Sequence, residues 1–143
     1  MEMDELFLDV TDIDWFAVDQ NGVLCHFATA GRGHVPREVA RSMENWEAAN
    51  ECVDALPSIF DVLVVEAGLP AFKSEKQRQG FIAMHVEMAR KGLHSHDACD
   101  DGYVLVARPA GAGATATLSE DAVRVIPTLT IAYEPGGYKV RMP

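Results

Sequence analysis

Apolar and polar positions alternate in two short stretches near the start of the chain. Asp14-Trp15-Phe16-Ala17-Val18-Asp19 reads as one strand and Val23 to Thr29 as a second, with Val23, Cys25 and Phe27 alternating against Leu24, His26 and Ala28. Gln20-Asn21-Gly22 joins them, and Asn-Gly is a strong hairpin signal because both residues tolerate positive φ. Neither face of this hairpin stays polar for long, so both faces are expected to be at least partly covered.

The period then changes. Gly31-Arg32-Gly33-His34 breaks the alternation, and Pro36 suits a first helical position. Val39, Met43, Trp46, Val53 and Leu56 form a helical stripe that Pro57 ends, which predicts a helix over about 37–56. Ile59 to Ala67 is ambiguous between strand and helix. Ser74-Glu75-Lys76-Gln77 matches a capping box, and the helix it opens, about 75–91, carries Phe81, Met84, His85 and Met88 beside Ile82, Val86, Ala89 and Leu93. So broad an apolar face predicts a helix largely buried on a sheet, with Gly92 just past its end.

His94 to Gly102 reads as a polar loop, and Tyr103 to Ala107 as a third strand stopped by Pro109. Ala110 to Ala114 is small and flexible. Ser119-Glu120-Asp121 is expected to start a short helix through Ile126, and Thr128 to Tyr133 to form a last strand before the turn at Pro135-Gly136-Gly137. These elements predict one α+β domain over residues 1–143: a mostly antiparallel sheet opened by the 14–29 hairpin, with the 37–56 and 75–91 helices packed on it.

Composition narrows the function classes. The chain has 143 residues, 48% of them hydrophobic and 24% charged, which suits one globular domain with a real core. No apolar run approaches the roughly 18–20 residues of a membrane span, and the acidic start is the reverse of a signal peptide. Cys25, Cys52 and Cys99 are odd in number and widely spaced, as expected of reduced thiols in a cytoplasm.

The net charge of −10 is concentrated at one end. Residues 1–19 hold seven acids (Glu2, Asp4, Glu5, Asp9, Asp12, Asp14, Asp19) and no Lys or Arg, leaving 15 acids against 12 bases elsewhere. A negative field repels phosphate backbones, so nucleic acid is not an expected partner. The same field speeds encounter with a basic protein, which makes Asp4, Glu5, Asp9 and Asp12 candidate partner-binding residues; solubility alone is the simpler account of the charge.

Three clusters invite chemistry. His94, His96, Asp97 and Cys99 offer metal-ligand side chains, yet their spacing matches no strong zinc signature, and a solvated loop explains the same residues. Ser95-His96-Asp97 is not a triad, because consecutive side chains do not place the base between nucleophile and acid. Gly31, Arg32, Gly33 and His34 lie between a strand and a helix, as anion cradles do. A dinucleotide loop would need a third glycine, so a turn that glycine permits is the preferred account. Asp12, Asp14 and Asp19 flank an apolar strand as candidate paired carboxylates. His85, on an apolar helix flank, is expected to be a satisfied core histidine, and Trp15 and Trp46 are expected in the core. No cofactor is implied, and the oligomeric state is not encoded in any of these patterns.

Two segments resemble a family of small, uncharacterised bacterial proteins. One runs from Asp12-Ile13-Asp14-Trp15-Phe16-Ala17-Val18-Asp19 through Asn21-Gly22 to His26-Phe27-Ala28-Thr29-Ala30-Gly31. The other runs from Lys91-Gly92-Leu93-His94-Ser95-His96-Asp97 to Tyr103-Val104-Leu105-Val106-Ala107-Arg108-Pro109. Similar proteins include immunity-like partners of secreted bacterial toxins, so the resemblance implies a non-catalytic, protein-binding module. Tyrosine often stands in such proteins where this chain has His94 and His96, which implies packing side chains there in place of ligands. The alternative is a metal-binding protein or small metal-dependent enzyme using the 94–101 segment.

Overall fold

The computed structural model describes residues 1–141. Among these residues, five α-helices and a six-stranded, mostly antiparallel open sheet make an α+β fold. In chain order the elements are α1 (Glu5–Val10), β1 (Asp14–Val18), β2 (Leu24–Ala28), α2 (Arg37–Ala40), α3 (Met43–Asp54), β3 (Val62–Val64), α4 (Glu75–Arg90), β4 (His94–Cys99), β5 (Gly102–Pro109), α5 (Glu120–Val125) and β6 (Lys139–Arg141). The sheet order is β1-β2-β4-β5-β3, with β6 also on β5, and β2–β4 is its one parallel pairing.

The β1–β2 hairpin forms in the register Asp14↔Ala28 to Val18↔Leu24. Its turn differs from the expected Asn-Gly geometry. Only Gly22 has positive φ (+81°), while the Asp19 side chain accepts from the Asn21 and Val23 N–H groups at 2.8 and 3.0 Å. A carboxylate that takes up turn donors replaces the second left-handed residue.

The expected 37–56 helix is two helices. Ser42 is extended (φ −143°) and its Oγ accepts from Asn45 N–H at 3.1 Å, so it caps a new helix where the first stops. The chain's first residues seal the break: Met3 N–H donates to Ala40 O at 2.8 Å, and Met43 N–H to Met1 O at 2.7 Å. Helix α1 was not anticipated; Asp4 caps it by accepting from Phe7 N–H at 2.8 Å.

Residues 59–67 resolve into β3 and a 3-10 turn over Glu66–Gly68. Helix α4 starts at the Ser74 cap as expected, with Gly92 at φ +98° past its end. Its buried stripe is narrower than predicted. Ile82, His85 and Ala89 are buried, whereas Met84 is 38% exposed.

Two expectations fail outright. The 94–102 loop is strand β4 with its turn, its backbone paired with β2 on one edge and β5 on the other, and its buried Ser95 and His96 side chains hydrogen-bonded. The 128–133 strand does not form; the segment makes isolated bridges at Val18↔Thr128 and Tyr133↔Val140, and Gln20 holds its middle. The Gln20 amide donates to Ile131 O and accepts from Ile131 N–H, both at 2.9 Å, standing in for a neighbouring strand.

Both sheet faces are covered. One carries Phe16, Leu24 and Leu93 under Ala49 and Val53 of α3 and Ala122 of α5. The other packs Trp15, Cys25, Phe27, Ala98 and Tyr103 against Met3, Val39, Ile131 and Val140, with Phe7 and Leu8 of α1 alongside. Trp15 is fully buried as expected, while Trp46 is half-buried and donates from Nε1 to Asp14 O at 2.7 Å.

Candidate functional site

The parallel pairing of β2 and β4 sets His26 beside Ser95, and alternation points both at the helical face. There α4 presents His85, while β1 brings Asp14 within reach one pair along. His26 Nε2 lies 2.8 Å from Asp14 Oδ1, and His26 Nδ1 lies 2.7 Å from Ser95 Oγ. His85 Nδ1 reaches the same Ser95 Oγ at 2.7 Å from the other side. The result is a hydrogen-bonded row, Asp14–His26–Ser95–His85, drawn from three strands and a helix.

The donor inventory orders the protons along this row. The Asp14 carboxylate accepts, so His26 Nε2–H donates. Ser95 has a single O–H, so its hydroxyl donates to one imidazole and its oxygen accepts from the other. Burial, and the neighbouring His26, hold His85 down at about 4, so it is neutral at pH 7. Asp97 lies beyond it at 4.0 Å from Nε2, too far for a hydrogen bond. Burial raises the Asp97 carboxyl, against a backbone hydrogen bond that lowers it.

This row has the atoms of an Asp–His–Ser triad but not its access. Ser95 and His26 are 0% exposed and His85 is 2% exposed. A serine without solvent contact does not meet an external carbonyl. Among the described residues no buried side-chain N or O lacks a partner, so the row is a polar network whose His26–Ser95–His85 part is buried and whose Asp14 end meets solvent.

His96 belongs to the opposite face. It is fully buried between Phe27, stacked at 4.3 Å, and Tyr133, stacked at 5.8 Å. Its Nδ1–H donates to His26 O at 3.0 Å, and Tyr133 O–H donates to Nε2 at 2.8 Å. Desolvation, only partly offset by the backbone bond, pushes its imidazole down to about 3. Trp15, stacked on Phe27 at 4.1 Å, completes an aromatic row in which His96 serves as a flat, neutral plank.

The other sequence candidates are dispersed. Asp97 and His96 point to opposite faces of β4. His94, with its imidazole lowered chiefly by burial, faces Ala114 O at 3.4 Å, and Cys99 Sγ faces Asp101 Oδ1 at 3.7 Å. These four residues therefore do not converge, and no group of three or more His, Cys, Asp or Glu among the described residues is arranged to hold an ion. At Gly31–His34 the space a cradle would leave for an anion is taken: Asp12 Oδ1 lies 2.7 Å from where a Gly31 Cβ would sit. Arg32 donates to Asp100 and to Ala98 O, each at 3.1 Å, and Tyr103 O–H to His34 O at 2.7 Å.

Among the early acids, Asp14 and Asp19 serve the row and the hairpin turn, and Asp4 caps α1. Glu5, Asp9 and Asp12 are exposed and make no ion pair among the described residues. Sequence reading missed the His26–Ser95–His85 row. Its only signal was polar residues at core-facing positions of strands, which is informative only once the strands are paired. No protein-family model, curated protein or solved structure matches the chain. No described helix is long and apolar enough to cross a membrane.

Proposed function

We propose that this chain is a cytoplasmic, non-catalytic module that binds a basic protein, in the manner of an immunity protein masking a toxin or effector. The observation that carries this reading is the division of its ionisable groups. His26, His85, His96 and Ser95, whose side chains could do acid–base or nucleophilic work, are buried in the core. Around α1 and along α3 the exposed carboxylates make no ion pair among the described residues: Glu2, Glu5, Asp9 and Asp12, then Glu47, Glu51 and Asp54. Exposed carboxylates without internal partners are available to steer a basic surface, and association through them is fast and weakened by salt.

The test begins with a partner recovered from native extract at low salt. Glu5→Lys with Asp9→Lys should slow its association at least several-fold and flatten the salt dependence, leaving dissociation little changed. Asp4 is excluded from this variant because it caps α1. Recovery of no partner, or an on-rate indifferent to salt and to the charge reversal, would refute the reading.

A further inference from the structure

Helix α3 shows three faces around its axis. Ala49 and Val53 enter the core. Glu44, Glu47, Glu51 and Asp54, spaced three, four and three apart, form an exposed acidic stripe. Between them runs a third face, Ala48, Cys52 and Ala55 with Leu56, which looks across a groove of about 700 Å³ to Leu118, Ala122 and Val125 of the α5 region. Cys52, Leu56, Leu118 and Val125 are only half-buried, so this second hydrophobic cluster is left open on one side.

We infer that the α3–α5 groove docks a basic amphipathic helix of a partner protein. The inference rests on the protein-binding reading and names the surface and the kind of element it takes. Ala48 to Ala55 at the helix end spans roughly 10 Å, or about two turns. Apolar residues at i, i+4 and i+7 of an incoming helix match that length, as in other helix-in-groove complexes. Charge selects the sign of the visitor. Glu51 lines the groove, Asp121 and Arg124 on its α5 wall pair with each other at 3.4 Å, and Glu47 and Asp54 flank it on the solvent side. The Lys91 ammonium is engaged in capping α3 through the carbonyls of Val53, Asp54 and Leu56, so the net charge along the α3 wall is negative. The stripe also meets the acidic first segment, since Met43 at the head of α3 is hydrogen-bonded to Met1.

The experiment uses the whole chain and a synthetic 14-residue helix with leucine at i, i+4, i+7 and i+11 and lysine elsewhere. Its scrambled isomer, of equal charge, and a glutamate-for-lysine version are the controls. Amide NMR shifts should localise to α3 and α5, with binding at least tenfold tighter than for either control. Ala48→Trp, which fills the groove from a half-buried position on its wall, should abolish the shifts while the melting temperature holds. Glu47→Lys with Glu51→Lys should weaken binding and remove its salt dependence. Equal binding of the scrambled peptide, shifts centred on α4 or β3, or an indifferent Ala48→Trp variant would overturn the assignment. So would self-association in sedimentation that Ala48→Trp abolishes, which would make the groove a contact between copies. If the peptide fails but the native basic partner still binds through Glu5 and Asp9, the groove assignment falls and the protein-binding reading stands.

Discussion

Lowering the pH from 7 to 5 should destabilise the fold through two buried imidazoles. His85 and His96 are held at about 4 and about 3, chiefly by burial, against roughly 6.5 for an imidazole in the unfolded chain. Both folded values lie below the unfolded one. Stability is therefore full above about pH 6.5 and is lost as pH falls towards the folded values. At pH 5 each ring binds its proton almost only when unfolded, which costs about 2 kcal/mol per ring by linkage, and about 4 kcal/mol for both. That is a large part of the roughly 5–15 kcal/mol that holds a domain of this size.

His94, also lowered, adds in the same direction, and Asp97, raised by burial, opposes it. The net charge of −10 shrinks as carboxylates protonate, which relieves self-repulsion and by itself favours the folded state. A fall in stability thus identifies the buried rings. Urea unfolding followed by tryptophan fluorescence at pH 7, 6 and 5 measures it; between pH 6 and 5 the unfolding constant should rise about fiftyfold. His85→Gln and His96→Gln should each remove about one proton from that slope. Equal unfolding free energies at pH 7 and 5, or variants that keep the two-proton slope, would refute the reasoning.

Other perturbations have equally definite outcomes. Ser95→Ala removes the hydroxyl between two imidazoles, leaving each ring short of a partner, and should cost about 2–5 kcal/mol in chemical denaturation. Gly102→Ala should cost about 1–3 kcal/mol and expose the β6 amides to hydrogen exchange, because its Cβ would stand 1.9 Å from Val140 O. Ser42→Ala should lower stability by about 1 kcal/mol through loss of the α3 cap, read as a shift of the urea midpoint at constant m. Gln20→Ala should release the 129–133 segment, seen as faster exchange at Ile131 and Tyr133, since its amide carries both of the segment's strand-like bonds at Ile131.

Much of the architecture is legible in local patterns, because periodicity and capping act within a few residues. Alternation around Gln20-Asn21-Gly22 locates β1 and β2, Ser74 and Ser119 mark the starts of α4 and α5, and Tyr103 to Ala107 lies within β5. Ser42 carried the break between α2 and α3 in plain sight, but the apolar stripe running through it was the louder signal.

What the chain could not announce was the fate of its polar residues. A run such as His94-Ser95-His96-Asp97 looks like solvated loop, since burying those groups unpaired is costly. Tertiary structure removed the cost by supplying His26 from β2, His85 from α4 and Tyr133 from a segment 37 residues on. Local sequence determined where strands and helices begin and what charge the surface carries. The pairing of β2 with β4 decided which histidines became core, and the packing of α3 beside α5 left an apolar groove open beside an acidic stripe. Such outcomes depend on contacts between residues far apart in the chain, and no window along the sequence holds both partners.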